Sequence, residues 1–251
     1  MAIHSGEGIV LSAMPYSNTS LIVSLLTAEE GKVRLVAKGA RSAKSRFGGS
    51  LEPATHVYAE WSKRPSAEMG TLRMSEIQTV FRRLWSDLDA MALAGRLLKT
   101  MDRLFGAGEG DPVHYGLLLE TLQAVESGAK AGEAEGVFLL MLLERLGLAP
   151  RLAYCAECKE KPGSAPAALD VPAGELRCPR CPHPVQGGVR LRAGAIATME
   201  EVFRLPSGKM RSIKILPSLQ EEVIRAARAF LAHHAGLAPI APPRRARTAR
   251  P

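Results

Sequence analysis

The chain has 251 residues, 46% of them hydrophobic, enough to bury a sizeable core and to build two or three folded units. No apolar run approaches the roughly 20 residues that cross a bilayer, and the opening MAIHSGEGIVLS lacks a basic stretch followed by an apolar one, so a cytoplasmic protein with no membrane partner is expected. Lysine and arginine number 33 against 25 acidic residues, a formal charge of +8 that favours a polyanionic partner. The excess is local. Residues 31–50 carry six basic side chains and no acid, whereas residues 81–154 carry eight basic and ten acidic ones.

Residues 7–12, 20–27, 32–38, 54–61 and 69–80 are rich in Val, Ile and Leu and are separated by Gly, Pro, Ser and Asn, which predicts five short strands. Five strands in about 80 residues with no helical period fit an OB-fold barrel better than an SH3-like one. In the third strand Lys32, Arg34 and Lys38 alternate with Val33, Leu35 and Ala37, so the charges are expected on the outer face. The Gly- and Ser-rich loop that follows carries Arg41, Lys44 and Arg46 and can track a phosphate backbone. Phe47 beside it is a candidate for stacking on a base, with packing in the core as the alternative.

From Ser86 the period becomes helical: Leu88, Met91, Leu93, Leu97, Leu98, Met101 and Leu104 recur on one face until Gly106. Asp87 and Asp89 sit where helix caps or dipole partners are expected, and Asp111-Pro112 opens a second helix to about Ser127. GAKAGEAEG reads as a turn or flexible helix start, and the nearly all-apolar run Val137 to Leu146 as a buried central helix ended by Gly147. Two more helices are predicted at Ala193–Phe203 and Ser218–His234, the latter opened by a capping box of Ser218 and Glu221. APIAPPRRARTARP, with four arginines and few large apolar side chains, is expected to be disordered.

Four cysteines fall in two C-x2-C pairs, Cys155/Cys158 and Cys178/Cys181, separated by 19 residues. In a reducing compartment such pairs point to a tetrahedral thiolate site for structural Zn2+ with no open position for catalysis. The intervening residues 159–177 are rich in Pro, Ala and Gly and are expected to depend on the metal as a staple. His183 is a possible substitute ligand, its nearness to Cys181 being otherwise incidental. The predicted architecture is thus α+β and multidomain: an N-terminal OB-fold β-barrel over residues 1–80, then a mainly helical C-terminal domain over 81–240. A four-cysteine zinc module is inserted at 152–190, and a basic tail occupies 241–251.

Enzymatic motifs are missing from the sequence: there is no P-loop, no deaminase H-x-E before a P-C-x-x-C, and no metal-binding carboxylate cluster, so a non-enzymatic protein is expected. A DNA-modifying or DNA-cleaving enzyme is the runner-up that these absences disfavour, and an adaptor built on the zinc module, with DNA binding incidental, is a third reading.

Taken together, EGIVL at Glu7–Leu11, T-x-E-x-G-K at Thr27–Lys32, A-K-G-A-R at Ala37–Arg41, S-R-F-G-G-x-L-x-P at Ser45–Pro53 and F-L-L-x-L-L-x-x-L-G-x-x-P at Phe138–Pro150 resemble the bacterial RecO family. The match runs from residue 7 into the cysteine pairs and weakens beyond Arg190. Asn18 stands where the family usually has an acidic residue. The resemblance implies a DNA repair and recombination mediator of the nucleoid that binds single- and double-stranded DNA and anneals complementary strands. It further implies work with RecR to load RecA onto DNA coated by single-stranded DNA-binding protein, whose C-terminal tail could enter a groove between helices. By the same resemblance Lys38, Arg41, Lys44 and Arg46 lie in the DNA-binding loop, Lys32 and Arg34 are secondary contacts, and the four cysteines are zinc ligands.

Overall fold

The computed structural model describes residues 2–64, 67–181, 185, 188–204 and 213–237. The basic tail and His183 lie outside the described residues.

Five strands, β1 (Ala2–Pro15), β2 (Leu21–Thr27), β3 (Gly31–Ala37), β4 (His56–Lys63) and β5 (Gly70–Thr79), close into a barrel in the order β1-β2-β3-β5-β4. That is the five-stranded OB arrangement anticipated from the strand spacing. Closure depends on the length of β1. Its first half pairs with β4, Ala2 to Ile9, and its second half with β2, Gly8 to Pro15, with a register shift between Val10 and Ser12. A bulge of this kind bends a strand so that one segment can serve two neighbours. The last seam is the short parallel pairing of β3 with β5, Leu35 opposite Gly70. A Cβ at Gly70 would lie 2.8 Å from Leu35 Cδ2 and 3.2 Å from the Ser62 carbonyl, so glycine permits the approach.

Inside the barrel Val10, Val23, Leu25, Val33, Leu35, Val57, Ala59, Trp61 and Leu72 form a core of their own. Ile9, Leu11 and Leu26 point the other way and join a second core that belongs to the helices. The barrel therefore has an outer face that is partly roofed.

The roof comprises α1 (Arg83–Ser86), α2 (Leu88–Leu104), α3 (Pro112–Glu126) and α4 (Ala131–Arg145), followed after the cysteine segment by α5 (Ala193–Arg204) and α6 (Pro217–His234). Asp87 caps α2 by accepting from the Asp89 and Ala90 N–H groups, and Asp111 caps α3 through Val113 and His114. Those bonds to the carboxylate hold Asp87 below the usual acid range, the Ala90 N–H being the largest cause. The central helix is α4, buried continuously from Ala134 to Leu143 and packed by α2, α3, α5 and α6. It stops as expected at Gly147, at φ +69°, where the Leu148 N–H closes onto the Leu143 carbonyl.

Three expectations need correction. The first two apolar positions of α2 are exposed, Leu88 by 81% and Met91 by 43%, because the buried stripe is carried by Ala90, Leu93, Ala94, Leu97, Leu98 and Met101. Helix α6 begins at Pro217 with no side-chain cap, so the Ser218/Glu221 capping box does not form; the preset φ of proline at the first helical position starts the helix instead. Residues 159–177 are also not a loop held by metal alone. They contain β7 (Ala167–Asp170) and β8 (Glu175–Arg177), which with β6 (Arg151–Cys155) and β9 (Val189–Leu191) make a sheet ordered β6-β8-β7-β9. Leu169, Val171 and Leu176 from this hairpin are buried in the helical core, which composition averaged over the segment concealed.

Candidate nucleic-acid interface and metal centre

The chain leaves β3 at Ala37 and returns at His56 through a series of tight turns. Arg34, Lys38, Arg41, Lys44 and Arg46 are all exposed, and among the described residues none of them is ion-paired. Their charges therefore face solvent unneutralised, the condition for phosphate binding. Two contacts fix the loop against the β1–β2 turn: the Arg41 N–H donates to the Thr19 carbonyl at 2.9 Å, and its guanidinium donates to the Ser17 carbonyl at 3.0 Å. The loop is further anchored by Phe47, which is only 4% exposed and packs with Leu51 in the barrel core. Arg46 lies over that ring, 5.0 Å from its centroid. Phe47 is thus an anchor, and the expectation that it stacks on a base is corrected.

Lys32 departs from expectation more sharply. Its side chain does leave the barrel on the outer face, as the alternation requires, but that face is roofed at this end. It is 8% exposed. The ammonium donates to the main-chain carbonyls of Asp102 and Phe105 and pairs with the Asp102 carboxylate at 2.8 Å. These are the last carbonyls of α2, where a cation completes unpaired acceptors and meets the negative end of the helix dipole. Around it the Lys32 N–H donates to the Glu109 carbonyl and the Gly108 N–H to the Lys32 carbonyl, both at 2.7 Å. Gly31, at φ +63°, leaves no room for a Cβ, which would lie 2.4 Å from the Glu109 carbonyl oxygen. Lys32 is accordingly a clamp between barrel and helices, placed away from the solvent-facing basic strip.

A second clamp was invisible in the sequence. The His56 ring lies 2.8 Å from the Tyr115 hydroxyl and 3.4 Å from the Glu7 carboxylate, and the Tyr115 hydroxyl donates to Glu7 at 3.3 Å. Burial lowers the His56 pKa against the pull of Glu7, and burial next to Glu7 raises that of Tyr115. This cluster ties the first strand and β4 to α3. No local pattern links residues 7, 56 and 115.

The metal site is compact. Sγ atoms of Cys155, Cys158, Cys178 and Cys181 all lie within 4.8 Å of one another. Cys155–Cys181 and Cys158–Cys178 are separated by 3.7 Å and Cys178–Cys181 by 3.6 Å. A disulfide needs about 2.05 Å, whereas four thiolates about 2.3 Å from one tetrahedral ion stand about 3.8 Å apart. The residues fit a metal ion. Burial works to raise the Cys155 thiol, but the N–H groups of Cys178, Cys158 and Glu157 hold it down to about 6. Cys181 is pushed up to about 12 by burial and the neighbouring sulfurs. Four sulfurs crowded together without a cation cannot all be ionised; a divalent ion would reverse that for all four. The first pair is shaped by Lys159, whose φ of +60° lets its N–H return to the Cys155 carbonyl at 3.0 Å.

No helix among the described residues is long and apolar enough to cross a membrane. Comparison with known proteins agrees with the two-part architecture. A family model described as Recombination protein O N terminal matches residues 1–81, and one described as Recombination protein O C terminal matches residues 85–241. Curated relatives include "DNA repair protein RecO" of Anaeromyxobacter sp. (strain K), 34% identical over 91% of this chain and 90% of that protein. The proteins of the same name from Symbiobacterium thermophilum and Rubrobacter xylanophilus are each 31% identical, covering 92% and 97% of both chains respectively. With a closed five-stranded barrel, a helical domain around α4 and paired cysteines in one chain, matched by the two family models over residues 1–81 and 85–241, the protein belongs to the RecO family of DNA repair proteins.

Proposed function

We propose that the chain is a non-enzymatic recombination mediator of the cytoplasm and nucleoid that binds single- and double-stranded DNA and anneals complementary strands. It would work with RecR to load RecA onto DNA coated by single-stranded DNA-binding protein, whose C-terminal tail it would engage. In this reading residues 1–80 are the DNA-binding domain and residues 81–240 the helical partner-binding domain, with the zinc module at 152–190. The observation that carries it is the set of exposed, unpaired cations Arg34, Lys38, Arg41, Lys44 and Arg46 on one end of the barrel. Such a surface neutralises phosphates on two strands at once and lowers their mutual repulsion, so that base pairing can nucleate with no covalent step or general base. It addresses phosphates, so binding should be weakly dependent on sequence and strongly dependent on salt.

Cys155, Cys158, Cys178 and Cys181 would hold Zn2+, a structural ion whose coordination sphere they close. Its contribution is to fix the two cysteine turns against β6 and β8. The Leu169 and Leu176 side chains anchor the hairpin independently, so loss of metal should loosen the turns without unfolding the helices.

The test is binding of labelled single-stranded and duplex oligonucleotides from 50 to 400 mM salt, with metal content measured on the same sample. The expected result is one zinc per chain and an affinity that falls linearly on a log–log plot against salt. Salt-independent binding, or DNA cleavage on adding magnesium, would contradict the reading.

A further inference from the structure

With Phe47 buried, the basic end of the barrel needs another side chain if it is to recognise bases as well as phosphates. Among the described aromatic side chains, Tyr16, Trp85 and Tyr154 are markedly exposed, and the last two belong to the helical domain and zinc module. Tyr16 is 58% exposed and sits in the β1–β2 turn.

Its placement follows from register. Ala13, Val23 and Leu35 point into the barrel, so Met14, Ile22 and Val36, paired across β1, β2 and β3, point out. Tyr16 is two residues beyond Met14 and Lys38 two beyond Val36, on strands that flank β2. The Tyr16 N–H continues the hairpin by donating to the Ser20 carbonyl at 3.0 Å, so the alternation of faces carries through to it. Tyr16 and Lys38 thus end the same outward rows, two strand spacings or about 10 Å apart. Both Arg41 contacts with Ser17 and Thr19 hold this turn to the basic loop, so ring and cations form one unit. Beside the ring runs an apolar strip of exposed Met14 and half-buried Ile22 and Val36, with Arg34 at its edge. A flat aromatic face next to apolar side chains and unpaired cations suits a strand whose bases are unstacked. In duplex DNA the base faces are already stacked, and only phosphates, sugars and base edges are offered, none of which a ring can stack on.

Resting on the DNA-binding reading above, we propose that Tyr16 is a base-stacking platform, flanked by Met14, that favours single-stranded over duplex DNA at this end of the barrel. Phosphate contacts supply the salt dependence, and Tyr16 supplies the preference for open strands.

The experiment compares the full chain with Tyr16→Ser and Tyr16→Phe on oligothymidylate and on a duplex of equal length, each over a salt series. A second arm irradiates the protein with oligonucleotides carrying 5-iododeoxyuridine and maps the crosslinked residue by mass spectrometry. Tyr16→Ser should lose about tenfold in affinity for the single strand with an unchanged salt slope, keep its duplex affinity, and lose the crosslink. Tyr16→Phe should retain all three. Equal loss on both DNAs, a reduced salt slope, no loss, or a crosslink elsewhere would overturn the proposal while leaving phosphate binding intact. Failure of the intact protein to bind either DNA would instead remove the reading beneath it.

Discussion

Lys32 and Lys38 stand near the two ends of β3, both on its outer side, and they have opposite fates. Lys32 is covered by the end of α2 and donates to two helix-terminal carbonyls and a carboxylate, whereas Lys38 is exposed and unpaired. Strand alternation predicts direction, and for both lysines it does so correctly. Whether a direction ends in water or in a neighbour depends on how the next domain packs, which the alternation of β3 cannot encode. A buried cation acts through the groups it satisfies, and an open one through the ligands it attracts.

The largest effect expected from that distinction lies at Glu135, buried in α4, where the carboxylate accepts from Arg96 at 2.7 Å and from Arg228. Glu135→Ala leaves two guanidiniums facing each other without their anion, and urea denaturation should show a loss of about 3–5 kcal/mol. Next comes Lys32→Ala. It removes the cation from the Asp102 carboxylate, which keeps only the Ser12 hydroxyl at 3.2 Å, and leaves the α2 carbonyls without their donor; since Asp102 is partly solvated the loss should be about 2–3 kcal/mol. DNA affinity of the folded fraction should keep its salt slope; a flatter slope would return Lys32 to the DNA-contacting set.

A smaller effect is expected at His56. Its folded pKa lies below the ordinary histidine value of 6.5. The unfolded chain therefore takes up a proton first as the pH falls, so the stability contributed by the neutral ring is complete above about 6.5 and is lost below it. Melting temperature should fall between pH 7.5 and 5.5, and His56→Gln should flatten that part of the profile. An unchanged profile would show that the Glu7–His56–Tyr115 cluster does not couple the barrel to α3 through the neutral ring.

Much of this was legible in advance because local rules were obeyed. Val33 and Leu35 alternate with Arg34, Asp111 precedes Pro112, and Gly147 follows an apolar run; each became the strand, cap and helix end it suggested. The cysteine pairs were legible too, since their spacing is itself the constraint. What stayed hidden depended on contacts between segments distant in sequence. Phe47 looked available because its neighbours are Gly, Ser and Arg, yet the barrel mouth had space for a ring. Leu88 looked buried because it is leucine, yet small alanines carry the packed stripe of α2. Nothing in the YSNTS segment, Tyr16–Ser20, shows that Arg41 will hold that turn beside the basic loop, so the sequence alone does not mark Tyr16.

The most direct test of the account is annealing of complementary oligonucleotides across a salt series, comparing the intact protein, Lys32→Ala, and the quadruple change of Lys38, Arg41, Lys44 and Arg46 to alanine. The quadruple variant gives up only the exposed Arg41 bond to the Ser17 carbonyl and the Arg46 contact with Phe47, so it should lose less than about 2 kcal/mol in stability and stay folded, yet lose annealing, with its salt slope for single strands reduced by up to about 3. Lys32→Ala should do the reverse, melting earlier and annealing normally. Unimpaired annealing by a folded quadruple variant would contradict the assignment of DNA binding to the open end of the barrel.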